Sequence, residues 1–230
     1  MRLLLTGLLF LSAVSLLGCG GDRASSTPEA APAPAATPAQ TLPKIVAFGD
    51  SLTAGYGLNP KQSYPALLQQ KLDADGYKYE VVNAGVSGDT SAGGLRRLDW
   101  SLEGGDVRFL ILELGANDFL RGQPVKETRR NLSQIIERAK SRGVRVLLAG
   151  MYTTTNSGDV YLGEIDETFK SLASEHDVPL IPFFLENVAG KRELNLDDGV
   201  HPNAEGTKIV ADTVYKYLKP LLDAEGGGKG

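Results

Sequence analysis

The sequence contains little cysteine and histidine and no cluster of basic residues. Its 230 residues include one cysteine, Cys19, and two histidines, His176 and His201. The formal net charge is −4 and no run of Lys or Arg occurs, so we exclude a basic surface that would bind nucleic acid. A single cysteine cannot form a disulfide within its own chain, which leaves an unpaired thiol or an intermolecular bridge.

The N-terminal apolar run is too short to cross a membrane. It extends from Leu3 to Leu17 behind one positive charge, Arg2, whereas a transmembrane helix needs about 20 apolar residues. This pattern predicts a secretory signal peptide over residues 1–18. The run ends in LLGC, which resembles the bacterial lipobox, where the cysteine is acylated and becomes the first mature residue. The resemblance implies that Cys19 is lipidated and anchors the protein to a membrane.

Residues 19–42 contain mostly Ala, Pro, Thr, Ser and Gly and almost no large apolar side chain. Such a segment cannot bury enough surface to fold, so we predict a disordered tether that its prolines keep extended. Gly20 stands where an aspartate would imply inner-membrane retention, so the resemblance favours the periplasmic face of the outer membrane. Residues 223–230 are likewise predicted to be a disordered tail.

Residues 43–222 alternate short strand-like runs with longer helical patterns. Strands are predicted at Lys44–Phe48, Lys78–Asn83, Val107–Leu114, Val144–Met151 and Leu180–Phe184. Helices are predicted near Ser63–Asp75, Ser91–Leu102, Pro124–Ser141, Tyr161–His176 and Ala204–Leu218. The alternation indicates βαβ units around a five-stranded, mostly parallel sheet in one α/β domain. The oligomeric state is not indicated by the sequence, and a monomer is the simplest expectation.

A serine follows the first predicted strand, in the run Val46–Leu52 (VAFGDSL). In an open α/β sheet the carboxyl ends of the strands form the ligand crevice. A serine hydroxyl attacks esters poorly without a base and an oxyanion site, so both must come from elsewhere in the chain. The GDSL sequence with TAGYG after it resembles block I of the GDSL, or SGNH, hydrolases, which implies that Ser51 is an acyl-accepting nucleophile. Asp50 is expected to structure the strand-to-helix turn.

Two further segments resemble blocks of the same family. Asn83–Thr90 (NAGVSGDT) follows the second strand and resembles block II, in which the last glycine offers its N–H to the oxyanion, here Gly88. The alternative is a glycine-rich turn with Asp89 or Thr90 capping the next helix.

Leu114–Phe119 (LGANDF) follows the third strand and resembles block III, which implies that the Asn117 amide is another oxyanion donor. The alternative is that Asn117 or Asp118 caps a short helix.

The segment Asp197–Asn203 (DDGVHPN) resembles block V, Asp-x-x-His. Pro202 keeps His201 out of the helical region, so the imidazole lies on a loop before the last helix. A carboxylate three residues earlier, Asp198, can turn back to one ring nitrogen and leave the other to take the proton of Ser51.

His176 lies at a predicted helix end, where a cationic residue is ordinary, so a histidine base has one good candidate, His201. The alternative for His201 is a helix-entry loop without catalytic use.

These blocks occur in the family's order from Gly49 to Asn203 and are similar to the bacterial thioesterase I/lysophospholipase and arylesterase branch. The resemblance implies a three-layer α/β/α, flavodoxin-like fold with a shallow site. It implies a Ser51, Asp198 and His201 triad, with an oxyanion hole from the Ser51 and Gly88 N–H groups and the Asn117 amide. It also implies hydrolysis of acyl esters, and of thioesters or lysophospholipids, without a metal or an organic cofactor.

One segment departs from the family pattern, and two other functions stay open. Related enzymes have a proline-containing loop after the fourth strand, whereas residues 151–158 form a polar run, MYTTTNSG. A polar loop there is expected to narrow or wet the acyl groove, so chain-length preference stays open. The alternatives are a carbohydrate O-deacetylase of the same family and a non-catalytic flavodoxin-like binding lipoprotein. The second leaves the spacing of Asp198 and His201 unexplained.

Overall fold

The computed structural model describes residues 41–152 and 159–226. The predicted signal peptide, Cys19, the tether up to residue 40, residues 153–158 of the polar loop and the last four residues of the tail lie outside the described residues. In the part that is described, none of the helices has both the length and the apolar character needed to cross a bilayer.

A five-stranded sheet lies at the centre of the fold. Its strands are β1 (Lys44–Gly49), β2 (Glu80–Gly85), β3 (Val107–Glu113), β4 (Arg145–Ala149) and β5 (Leu180–Ile181). They are arranged in the order β2-β1-β3-β4-β5, and every neighbouring pair is parallel. Gly49 pairs with both Gly85 and Glu113, so three strands end at the same level. The predicted five-stranded α/β fold is confirmed.

Helices cover both faces of the sheet. The described helices are α1 (Ser51–Ala54), α2 (Tyr64–Ala74), α3 (Ser91–Ser101), α4 (Ala116–Leu120), α5 (Val125–Ser141), α6 (Asp159–His176) and α7 (Ala204–Ala224), with 3-10 turns at Pro60–Gln62 and Arg192–Leu194. Helix α2 packs on α7, and α5 packs between α3 and α6. The strand order reverses after β2, so right-handed crossovers place these two groups on opposite faces and produce three layers.

The two central strands supply the middle of the core. Ile45–Phe48 of β1 and Phe109–Leu112 of β3 are buried almost completely, as expected for parallel strands that are covered on both faces. The predicted apolar stripe of α5 is also buried: Leu132, Ile135, Ile136 and Ala139 face the sheet.

Each of the five strands differs from its predicted bounds by one to three residues at one end or both. Strand β2 begins at Glu80 and not at Lys78, because its ladder to β1 starts with the pair Lys44 and Glu80. Strand β5 ends at Ile181 instead of Phe184, since Pro182 follows and has no N–H to donate to the ladder.

The last helix is longer than predicted. Helix α7 continues to Ala224, past the predicted end of the domain at Leu222, with Pro220 inside it. Leu218 and Leu222 are both fully buried, so core packing holds the helix on each side of the proline. The first two residues of the predicted tail are therefore helical.

Gly85 should not tolerate a side chain, whereas Gly163 should. A Cβ on Gly85 would overlap the backbone nitrogen of Ala54 in α1, so Gly85→Ala should lower the free energy of unfolding by about 1–3 kcal/mol. Gly163 lies on α6 with open space around it, and Gly163→Ala should raise that free energy by up to about 1 kcal/mol. Urea denaturation measures both values, and equal effects would contradict the packing described for Gly85.

Candidate active site

A one-turn helix holds Ser51 at the carboxyl end of β1. Ser51 is the first residue of α1, and Asp50 caps this helix by accepting the Leu52 N–H at 3.0 Å. The prediction that Asp50 structures the strand-to-helix turn is confirmed. The serine therefore lies at the edge of the sheet where the loops after the other strands also begin.

The loop before α7 brings a histidine back to this edge. A bridge between Asn195 and Pro202 and a 2.7 Å hydrogen bond from the Leu196 N–H to the His201 carbonyl close the loop. Asn203 then caps α7, as predicted, by accepting two backbone N–H groups at 3.0 Å. The proline and the cap fix where the imidazole leaves the backbone.

Ser51, His201 and Asp198 form a continuous hydrogen-bonded chain. His201 Nε2 lies 2.9 Å from Ser51 Oγ, although 150 positions separate the two residues in sequence. His201 Nδ1 lies 2.8 Å from Asp198 Oδ2, and Asp198 Oδ1 accepts the backbone N–H groups of Val200 and His201. The three residues predicted as a triad are therefore in direct contact, Ser51 with His201 and His201 with Asp198.

The contacts of Asp198 keep its carboxylate ionised. The backbone N–H of His201, followed by that of Val200 and the His201 side chain, lowers the pKa of Asp198 to about 2. The fixed negative charge makes Nδ1 the protonated nitrogen and leaves Nε2 free to accept from Ser51. The ring of Tyr56 lies 4.6 Å from the imidazole ring, centroid to centroid, and covers part of it.

Asn117 lies in α4 and lines the same cleft as Ser51 and His201. Its Nδ2 donates to Asp50 Oδ2 at 2.8 Å. The helix begins after Gly115, so neither Asn117 nor Asp118 is its cap, and the alternative based on capping is wrong. One amide hydrogen of Asn117 is held by Asp50, and the second is oriented by the same bond.

Gly88 lies in the loop between β2 and α3, with a φ of +77°, and is not among the residues that line the cleft. Its carbonyl accepts from the side chain of Arg121, the residue that follows α4, at 2.8 Å. The next residues have structural roles: Asp89 pairs with Arg97 at 2.7 Å, and Thr90 caps α3. The alternative that Thr90 caps the next helix is confirmed, and it is compatible with a Gly88 N–H that serves the site.

Asp118 joins α4 to the start of α3 and to α5. Its carboxylate is almost fully buried and accepts the Ser91 N–H at 2.8 Å, the Ser91 hydroxyl at 2.5 Å and the Thr128 hydroxyl at 3.2 Å. Asn131 in turn donates to the Ser91 hydroxyl. Because Asp118 belongs to α4, Ser91 to α3, and Thr128 and Asn131 to α5, the network holds these three helices in one arrangement.

Two acidic side chains, Asp50 and Glu113, are buried next to the turn that carries Ser51. Burial raises the pKa of Asp50 to about 6, against the hydrogen bonds from Leu52 and Asn117 that favour its ionised form. Burial also raises the pKa of Glu113, at the end of β3, well above its ordinary value, and the neighbouring Asp50 carboxylate raises it further. Sequence reasoning missed Glu113, although an acidic residue at the end of an otherwise apolar strand was a visible signal.

A cleft of about 150 Å³ opens beside the serine and the histidine. Apolar side chains from several elements line it: Leu120, Met151, Phe183, Leu185 and Val200. Tyr152 also lines it, with its hydroxyl donating to Asp166 of α6 at 2.6 Å. Residues 41–152 and 159–226 contain no group of three or more His, Cys, Asp and Glu residues arranged to hold a metal ion. The lining suits an apolar group next to a reacting carbonyl.

His176, the second histidine, also contacts a serine. Its Nε2 lies 2.8 Å from Ser133 Oγ, where α6 packs on α5. This pair lies on the helical layer and not at the carboxyl edge of the sheet, and Ser133 also donates to Glu137 of its own helix. Both histidines contact a serine hydroxyl, and His201 lines the cleft, so a His176 variant is a matched control for a His201 variant.

Comparisons with known proteins agree with this geometry. A model of the GDSL-like Lipase/Acylhydrolase family matches residues 47–209. Esterase TesA of Pseudomonas aeruginosa is 40% identical over 184 residues, which are 80% of this chain and 90% of that protein. Thioesterase 1/protease 1/lysophospholipase L1 of Escherichia coli K12 is 40% identical over 179 residues, 78% of this chain and 85% of that one.

The fold is similar to that of solved esterases. The structure of the psychrotrophic esterase EstA from Pseudoalteromonas sp., inhibited by monoethylphosphonate, superposes with a TM-score of 0.75 at 35% identity and covers 78% of this chain and 98% of its own. Since the family match spans both the serine turn and the histidine loop, the chain belongs to the GDSL-like lipase/acylhydrolase family.

Proposed function

We propose that this protein is a serine esterase that hydrolyses carboxylic esters through an acyl-enzyme on Ser51. The observation that carries the proposal is the chain of contacts from Ser51 Oγ to His201 and from His201 to Asp198, at 2.9 and 2.8 Å. A serine, a histidine and an ionised carboxylate in this order activate the hydroxyl as a nucleophile. Family membership and esterase relatives at 40% identity support the same activity.

The acylation step uses the histidine as base and then as acid. Ser51 Oγ forms a bond to the ester carbonyl carbon while His201 Nε2 takes its proton. The tetrahedral intermediate then breaks its bond to the alcohol oxygen, and His201 returns the proton to that leaving group. Asp198 stays ionised throughout and stabilises the imidazolium.

The developing oxyanion needs donors on the side of Ser51 away from His201. We assign this role to the N–H groups of Ser51 and Gly88 and to the amide of Asn117. Support for Asn117 comes from its place in the cleft and from the 2.8 Å hydrogen bond to Asp50, which fixes its amide. In the second step His201 takes a proton from water as the water oxygen attacks the acyl carbon. The bond from that carbon to Ser51 Oγ then breaks, His201 returns the proton to Ser51 Oγ, and the acid leaves.

The apolar cleft favours esters with an aliphatic or aromatic acyl group. Leu120, Met151 and Phe183 offer contacts to such a group but no charged partner. Two relatives are named as thioesterase, lysophospholipase or esterase, so acyl thioesters and lysophospholipids are the first further substrates to test.

We further propose that the mature protein is lipid-anchored through Cys19 at the periplasmic face of the outer membrane. The LLGC sequence behind an apolar run and the proline-rich segment after it support this location. An acyl chain contributes about 0.8 kcal/mol per buried methylene, and two or more chains give stable attachment.

Loss of Ser51 or His201 should abolish turnover, whereas loss of His176 should not. Ser51→Ala should remove both ester hydrolysis and labelling by a fluorophosphonate, because the attacking oxygen is gone. His201→Gln should lower kcat/KM for p-nitrophenyl esters by about 10²–10⁴-fold, since the base is missing. A non-catalytic binding protein would not react with the fluorophosphonate at all.

The matched control is His176→Gln, which removes the other Ser–His pair. We expect its kcat/KM within about threefold of the wild type. Equal losses in the two histidine variants, or full turnover by His201→Gln, would exclude His201 as the base.

Asp50→Asn should separate activity from stability. An amide cannot accept from both Leu52 and Asn117, so Asn117 loses its support and kcat should fall about 10-fold or more. Because the pKa of Asp50 is raised to about 6 in the folded protein, ionising it costs stability as pH rises from about 4 to 6. The variant has no such cost, so the difference in unfolding free energy should shift in its favour by up to about 1.4 kcal/mol per pH unit. Urea denaturation at pH 4.5, 6 and 7.5 measures the shift, and a difference independent of pH would contradict it.

Cys19→Ala should release the protein from the membrane fraction. The substitution removes the thiol that would be acylated but leaves residues 43–222 unchanged, so esterase activity should move to the soluble fraction with kcat/KM unchanged. Cell fractionation and the activity of each fraction provide the measurement. Retention of the variant in the membrane would exclude anchoring through Cys19.

A further inference from the structure

Glu113 is a buried acid that the proposed reaction does not use. It is the last residue of β3, the middle strand of the sheet, and none of its surface is exposed. It pairs in register with Gly49, the residue that ends β1 before the serine turn. Glu113 is therefore next to the segment that carries Ser51.

One oxygen of Glu113 binds the serine turn on both sides of the nucleophile. Oε2 accepts the backbone N–H of Asp50 at 3.2 Å and the hydroxyl of Thr53 at 2.7 Å. Asp50 precedes Ser51, and Thr53 follows it by two residues in α1. The carboxyl group thus connects the entry and the first turn of α1 to the central strand.

The Glu113 carboxyl group occupies the space that a side chain at position 49 would need. A Cβ on Gly49 would overlap both Glu113 Oε2 and Thr53 Oγ1. The glycine before Asp50 is therefore required by the close approach of the Glu113 side chain, since any larger residue would displace these hydrogen bonds.

The other oxygen of Glu113 has no hydrogen-bond partner among the described residues. Oε1 is fully buried, and an ionised carboxylate with a bare oxygen in such a place would be costly. Burial raises the pKa of Glu113 well above its ordinary value, and Asp50, which is close by, raises it further. Both acids accept hydrogen bonds that favour the anion, but Asp50 has a partner for each oxygen and Glu113 for only one, so the proton belongs on Glu113.

We propose that Glu113 is a positioning residue for Ser51: as a neutral acid it fixes the Asp50 N–H and the Thr53 hydroxyl, and thereby the direction of the serine side chain. This role rests on the esterase function proposed above. A neutral group suits the place, because a second buried anion near Ser51 would oppose the charge that develops on the oxyanion.

Two substitutions at position 113 separate hydrogen bonding from charge. Glu113→Gln keeps the shape and an oxygen that accepts both donors without a negative charge, so the rate of fluorophosphonate labelling and kcat should stay within about threefold of wild type. Glu113→Met removes both hydrogen bonds at similar volume. Its labelling rate and kcat should fall about 10–100-fold, while KM changes less than about twofold, because the cleft is untouched.

A second pair tests the same contact from the other side. Thr53→Val removes the hydroxyl that Glu113 binds and should lower the labelling rate, whereas Thr53→Ser should restore it. This pair decides the question if Glu113→Met does not fold, which near-UV circular dichroism reports.

The outcomes distinguish the positioning role from the esterase function itself. Glu113→Gln with a loss as large as that of Glu113→Met would overturn the neutral-acid role. A folded Glu113→Met with unchanged kcat and labelling rate, and only a lower Tm, would show that Glu113 is structural alone. If the wild type shows no labelling that depends on Ser51, the esterase proposal fails, whatever the variants do.

Discussion

The hydrogen bond between Ser51 Oγ and His201 Nε2 depends on the parallel sheet more than on either loop. The two residues are 150 positions apart, yet both lie at the edge where parallel strands end. Because β1, β2 and β3 end in register, the turns after them start at the same level. Ser51 and Asn117 follow β1 and β3 after only a few residues, whereas Asp198 and His201 lie on the longer connection between β5 and α7.

Three buried acids connect the loops and helices of the site to one another and to the sheet. Asp118 connects α3, α4 and α5, Asp50 connects the serine turn to Asn117, and Glu113 connects that turn to β3. Each of these acids is at least 97% buried, with relative exposures of 3%, 1% and 0%. In such surroundings a missing hydrogen bond costs more than at the surface, so each network favours one arrangement of its partners. Three acids with no proposed part in the reaction thus position the residues that would react with substrate.

The sequence predicted the fold class and the triad residues because their signals are local. Alternating strands and helices identify a parallel sheet, and Asp198 lies three residues from His201 on one loop. The supporting contacts could not be predicted. Asn117 and Asp50 are 67 positions apart, and no pattern in either segment indicates that the two side chains meet. Helix ends were missed for a related reason: Pro220 suggests a stop, but burial of Leu222 on the core overrides it. Local sequence patterns therefore indicate which segments form helices and strands. Tertiary packing decides where those segments end and which side chains contact one another.

The direction of β1 also has a practical consequence. The strand contains six residues, from Lys44 to Gly49, and ends at the edge of the sheet that carries Ser51, so its first residue lies at the opposite edge. An extended strand of that length spans about 20 Å. A resin, sensor surface or fusion partner coupled ahead of Lys44 would thus join the domain on its far side and leave the mouth of the cleft open to dissolved esters.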